Sequence, residues 1–79
     1  MSNNNKAGIV VHIREELQQD QINMLETSLG NDEGVTSVRI NRDRKHLMLV
    51  DFMPGVITPR QVLNYVSSKG YNAALVGWI

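Results

Sequence analysis

An α+β sandwich, with a four-stranded antiparallel sheet in the order 4-1-3-2 and two helices on one face, is the fold class that this sequence predicts. Three observations carry the prediction. The run from Lys45 to Met53 is dominated by apolar residues on both faces and is closed at once by Pro54-Gly55, which suits a short central strand. Thr58-Pro59-Arg60-Gln61 supplies an N-cap, a proline at the first helical position and a Gln three residues past the cap, so a helix begins there. Strand-like and helix-like stretches then succeed one another as β-α-β-β-α-β.

Taken in order, Ala7 to Ile13 is β-branched and apolar, a first strand with Ile9, Val11 and Ile13 on one side and Gly8, Val10 and His12 on the other. After Arg14, Leu17, Ile22, Leu25 and Leu29 recur near the helical period with Met24 beside them, and Gly30-Asn31 stops this helix, with Gly30 expected in the left-handed conformation. Val35, Val38 and Ile40 mark a second strand after Gly34. The tip Asn41-Arg42-Asp43-Arg44 turns the chain into the third strand. Val62, Leu63, Tyr65 and Val66 form the buried side of the second helix, which Lys69-Gly70 closes, and Tyr71 to Trp78 reads as the last strand. This order is that of a ferredoxin-like βαββαβ sandwich, whose right-handed crossovers put the first and third strands in the centre and leave one sheet face uncovered.

Composition narrows the function. The chain has 79 residues, enough for one modest core and too few for a two-lobed catalytic cleft. Residues 1–6 are expected to be a flexible tail and residues 7–79 a single domain. Lys plus Arg and Asp plus Glu are 8 each, so no net field steers the chain to nucleic acid or membrane. Cysteine is absent, which excludes disulfides, thiolate metal sites and cysteine nucleophiles. The polar start, Met1-Ser2-Asn3-Asn4-Asn5-Lys6, carries no apolar targeting core, and a cytoplasmic location is expected. No phosphate loop, Ser-His-Asp ordering or defensible carboxylate pair is present, so the chain is not expected to be an enzyme. Asp51, among apolar neighbours, reads as an ordinary carboxylate near a strand end.

Gly34-Val35 with Val38 and Ile40, then Val50-Asp51-Phe52-Met53-Pro54, Ile57-Thr58-Pro59 and Gly70-Tyr71-Asn72-Ala73 fall in the order and spacing of a known family. From Ile9 to Val76 the chain resembles the heavy-metal-associated domain of copper chaperones and metal-pumping ATPases. The resemblance implies the fold. It also implies a metal motif, Met-x-Cys-x-x-Cys, at the junction of the first strand and first helix, where two thiolates suit Cu(I) or Zn(II). The matching positions here are Glu16, Gln18 and Gln21, so the loop is degenerate, and neither a bound metal nor another cofactor is expected. With Glu15 and Asp20 nearby, the loop reads as a solvated acidic first turn.

The family pattern turns Met48, Val50 and Phe52 toward the helices. His46 is then expected on that side and His12 on the other, as two unconnected histidines. Met24, Met48 and Met53 are expected to fill the core. Arg39, Arg42, Arg44 and Lys45 read as a charged hairpin tip, and the outward positions of the central strands hold no aromatic residue on which bases could stack, so nucleic-acid binding is not expected. Val10, His12, Leu47, Leu49, Ala74, Val76 and Trp78 are expected to share the uncovered face, with Trp78 as its anchor.

The sequence thus points to a non-catalytic protein-interaction module with a degenerate heavy-metal-associated domain, working through its open sheet face on a protein partner or a second copy. The alternative is a metal-binding or metal-transfer protein with carboxylate, imidazole or thioether ligands. A small regulatory domain holding a ligand between the sheets of a dimer would use the same face.

Overall fold

The computed structural model describes residues 6–41, 43–44 and 46–79. The elements follow the expected order: β1 Ala7–Ile13, α1 Gln19–Gly30, β2 Val35–Ile40, β3 Leu47–Phe52, α2 Pro59–Ser68 and β4 Ala73–Trp78. Every strand pair is antiparallel and the sheet order is β2-β3-β1-β4, the predicted order read from the other edge. Of the tail expected over residues 1–6 only Lys6 is described. Arg42 and Lys45 of the basic hairpin also lie outside the described residues.

The period-two pattern decides which face is covered. Along β3, Met48, Val50 and Phe52 are buried while Leu47, Leu49 and Asp51 are half-buried, and β1 buries Ile9, Val11 and Ile13 on the same side. Leu17, Ile22, Leu25 and Leu29 from the first half and Val62 and Val66 from α2 complete one core against that side. Helix α1 packs beside β2 and α2 beside β4. At the outer edge of β2 the Ile40 N–H donates to Glu26 Oε2 of α1 at 3.1 Å.

Helix α2 begins as its capping box requires. The Gln61 N–H donates to Thr58 Oγ1 at 3.2 Å, and the Thr58 N–H donates to Gln61 Oε1 at 2.9 Å. Gly70 follows the helix with φ +96°.

Helix α1 ends otherwise than expected. Gly30 remains helical, Asn31 donates its N–H to Thr27 O at 3.1 Å, and the left-handed residue of this connection is Gly34, at φ +92°. A Cβ at Gly34 would stand 2.8 Å from Val56 Cγ1 and 2.9 Å from Ile57 Cγ2, so the position is demanded by packing as well as by the backbone. The methionines also divide. Met48 is in the core, Met53 is 42 % exposed and Met24 is 68 % exposed on the outer face of α1, so core filling describes only Met48.

Candidate functional site

Three places bear on function: the loop between β1 and α1, the end of the β1–β3 ladder, and the uncovered sheet face. In the loop, the side chains of Gln21 and Glu15 are bonded within the chain. The Gln18 N–H donates to Gln21 Oε1 at 2.8 Å, which satisfies one of the orphan donors at the start of α1. Glu15 turns the other way. Its Oε1 accepts the Asn72 N–H at 2.8 Å and its Oε2 accepts the Asn72 Nδ2–H at 2.7 Å, while the Arg14 N–H donates to Asn72 O at 2.8 Å. These bonds tie the β1–α1 loop to the α2–β4 turn. The backbone N–H of Asn72 above all holds the Glu15 carboxyl below its ordinary pKa. Glu16 and Asp20 are exposed.

At the end of the ladder the histidines meet, contrary to the expectation that they lie apart. Their ring centroids are 5.7 Å apart and their planes differ by 20°. The cause is local. His46 precedes β3 in a turn, so strand alternation does not place its ring; instead Nδ1 lies 2.8 Å from Ile13 O, while the Ile13 N–H donates to His46 O at 2.7 Å. This clamp on Ile13 brings the His46 ring back over β1 to His12.

The uncovered face holds most of the residues expected on it. In the register Val10 pairs with Leu49 and His12 with Leu47, and on the far side of β1 His12 pairs with Ala74, so these five share the face away from the helices. Arg39, opposite Leu49, and Asp51, whose Oδ2 accepts the Ser37 Oγ–H at 2.9 Å, add charge to it.

Trp78 is not there. Strand β4 carries a bulge between its pairings with Val10 and Val11, so Leu75 sits opposite Val11, Val76 opposite no residue, Gly77 opposite Val10 and Trp78 opposite Ile9. The extra residue reverses the alternation and puts Trp78 on the helix side, its ring centroid 6.3 Å from that of buried Phe52. The Ile79 side chain takes the open side instead, against Gly8, where a Cβ would stand 3.0 Å from Ile79 Cδ1 and 2.8 Å from Asp51 Oδ1.

Solved structures place this arrangement. The N-terminal domain of a potential copper-translocating P-type ATPase from Bacillus subtilis, in its Cu(I)-loaded state, superposes with a TM-score of 0.83 at 20 % identity, over 94 % of this chain and 91 % of that one. This is the heavy-metal-associated fold. The copper-binding domain of another P-type ATPase superposes with a TM-score of 0.82 at 18 % identity, over 91 % and 96 % of the two chains. Oxidized MerP from Ralstonia metallidurans gives 0.80 at 11 % identity, over 90 % and 97 %. No protein-family model matches the sequence, and no curated protein matches it.

Within the heavy-metal-associated fold this chain does not fit a thiolate-bound metal. It has no cysteine, and Gln21 is engaged as a helix cap. Among the described residues, no three His, Asp or Glu side chains gather closely enough to hold a metal ion. The sequence reading missed the histidine pair and the Glu15–Asn72 clamp. The first depends on a side chain leaving its strand's phase, and the second joins residues 57 positions apart.

Proposed function

We propose that this chain is a non-catalytic, cytoplasmic interaction module that keeps the heavy-metal-associated fold and docks a protein surface on its open sheet face. The observation that carries the reading is the contrast between loop and face. The loop's Glu15 and Gln21 are bonded within the chain, whereas Val10, Leu47 and Leu49 are aligned across the two central strands with neither described helix above them. Ala74 extends the patch on β4, and Val76, at the bulge, is 60 % exposed. Apolar surface of this kind, rimmed by polar groups, is the ordinary mark of an association site.

A second copy of the chain is the occupant to test first. The face carries both signs of charge, Arg39 and Asp51, beside its apolar strip, which is the composition that a self-complementary two-fold contact needs. The formal net charge of zero sets no long-range repulsion between copies. No helix among the described residues is long and apolar enough to cross a membrane.

Native mass spectrometry of the wild type and of Leu49→Lys tests the reading. The wild type should give a dimer or higher oligomer and Leu49→Lys a monomer. An oligomer that survives Leu49→Lys, or a wild type that stays monomeric at every concentration, removes the second copy as the occupant of this face.

A further inference from the structure

The His12–His46 pair takes no part in the loop's hydrogen bonds and stands at the end of the open face, where His12 lies between Leu47 and Ala74 in the register. We propose that these two imidazoles form a solvent-open site for a divalent transition-metal ion of the zinc class, completed by water. The site does not rest on the docking role.

His46 is prepared for such a role. Its Nδ1 faces Ile13 O at 2.8 Å, and because a carbonyl oxygen only accepts, Nδ1 carries the proton and the neutral ring keeps its lone pair on Nε2. A backbone carbonyl taking the distal N–H is the usual support of a metal-binding histidine, since it sets both tautomer and ring orientation.

His12 supplies the second nitrogen. Two imidazoles bound to one tetrahedral zinc through nitrogens about 2.0–2.1 Å from the ion have ring centres about 5 Å apart. The observed separation is 5.7 Å with the rings stacked, their planes within 20° of parallel, so the His12 ring must also turn before both in-plane Nε2 lone pairs meet at one ion. His12 is exposed, so a rotation of its side chain closes the difference while the clamped His46 stays in place.

The pair opens onto a groove. His12 and His46 line one groove of about 520 Å³ together with Glu16, Asp43, Arg44 and Leu47. Among the described residues no third His, Asp or Glu is close enough to ligate with the pair, so water holds the remaining positions and the ion exchanges readily. Neutral imidazole with water suits Zn(II), Ni(II) or Cu(II); Cu(I) prefers the sulfur ligands that this groove lacks.

The test is a titration of the whole, tag-free chain with zinc chloride, followed by proton–nitrogen correlation spectra of the imidazoles. The Nε2 resonances of His12 and His46 should move together and saturate at a single ion per chain, while His46 Nδ1 stays protonated. In His12→Asn, whose amide spectrum reports that the fold is kept, the His46 response should be lost. A response confined to one ring, a response centred elsewhere in the chain, no response, or a His46 shift that persists in His12→Asn overturns the proposal.

Discussion

Glu15 places both carboxylate oxygens on Asn72, 57 residues away in sequence, and a charged acceptor makes the stronger kind of hydrogen bond. Because its pKa is lowered in the folded state, its contribution to stability is fully present above the ordinary value of 4.5 and is lost as pH falls through the lower folded value. Glu15→Gln should therefore lower the urea midpoint at neutral pH and show a smaller further loss on acidification than the wild type. Parallel acid limbs for the two proteins would mean that the clamp contributes no pH dependence. The glycines give a second test. Gly34→Ala meets a left-handed backbone and a clash with Val56 and Ile57, whereas a Cβ at Gly70 meets nothing within 4 Å. Gly70→Ala should cost about 1–2 kcal/mol through the backbone alone, and Gly34→Ala measurably more, in denaturant titrations. Gly70 was legible as the close of α2, whereas the Glu15–Asn72 clamp and the crowding at Gly34 were not, since a sequence marks a glycine but not what its missing Cβ would touch.

Elements were read to different depths, for reasons that their residues make plain. Helix α2 was fully legible because its start signal is local: Thr58, Pro59 and Gln61 lie within one turn and need no tertiary partner. Thr58→Ala should cost about 1 kcal/mol by chemical denaturation, and a cost near zero would show that Gln61 alone satisfies the helix start. Strand β1 was legible to the residue because its β-branched alternation is unbroken. Strand β4 was located correctly but its second half was assigned to the wrong face, since the bulge at Val76 is a response to the register with β1 and leaves no mark among Ala73, Ala74 and Leu75. His46 was not legible for a related reason: it precedes the start of β3 at Leu47, where strand alternation no longer fixes the side of the sheet that a side chain takes.

At the scale of the whole molecule, one-sided covering of the sheet follows from the βαββαβ order itself, which is why the open face and its members on the two central strands were foreseeable while the place of Trp78 was not. If that face joins two copies, folding and association are linked by mass action. The thermal midpoint of the wild type should then rise with protein concentration, and that of Leu49→Lys should not. A concentration-independent wild type would place the functional contact elsewhere. Trp78, the chain's single tryptophan, adds a consequence of the β4 bulge. It lies 6.3 Å from Phe52 at the margin of the core while remaining 62 % exposed, on the side of the sheet away from Leu47 and Leu49. The molecule therefore carries an optical reporter of its own folding that is blind to its docking: indole emission should shift on unfolding and stay constant when the opposite side of the sheet is occupied.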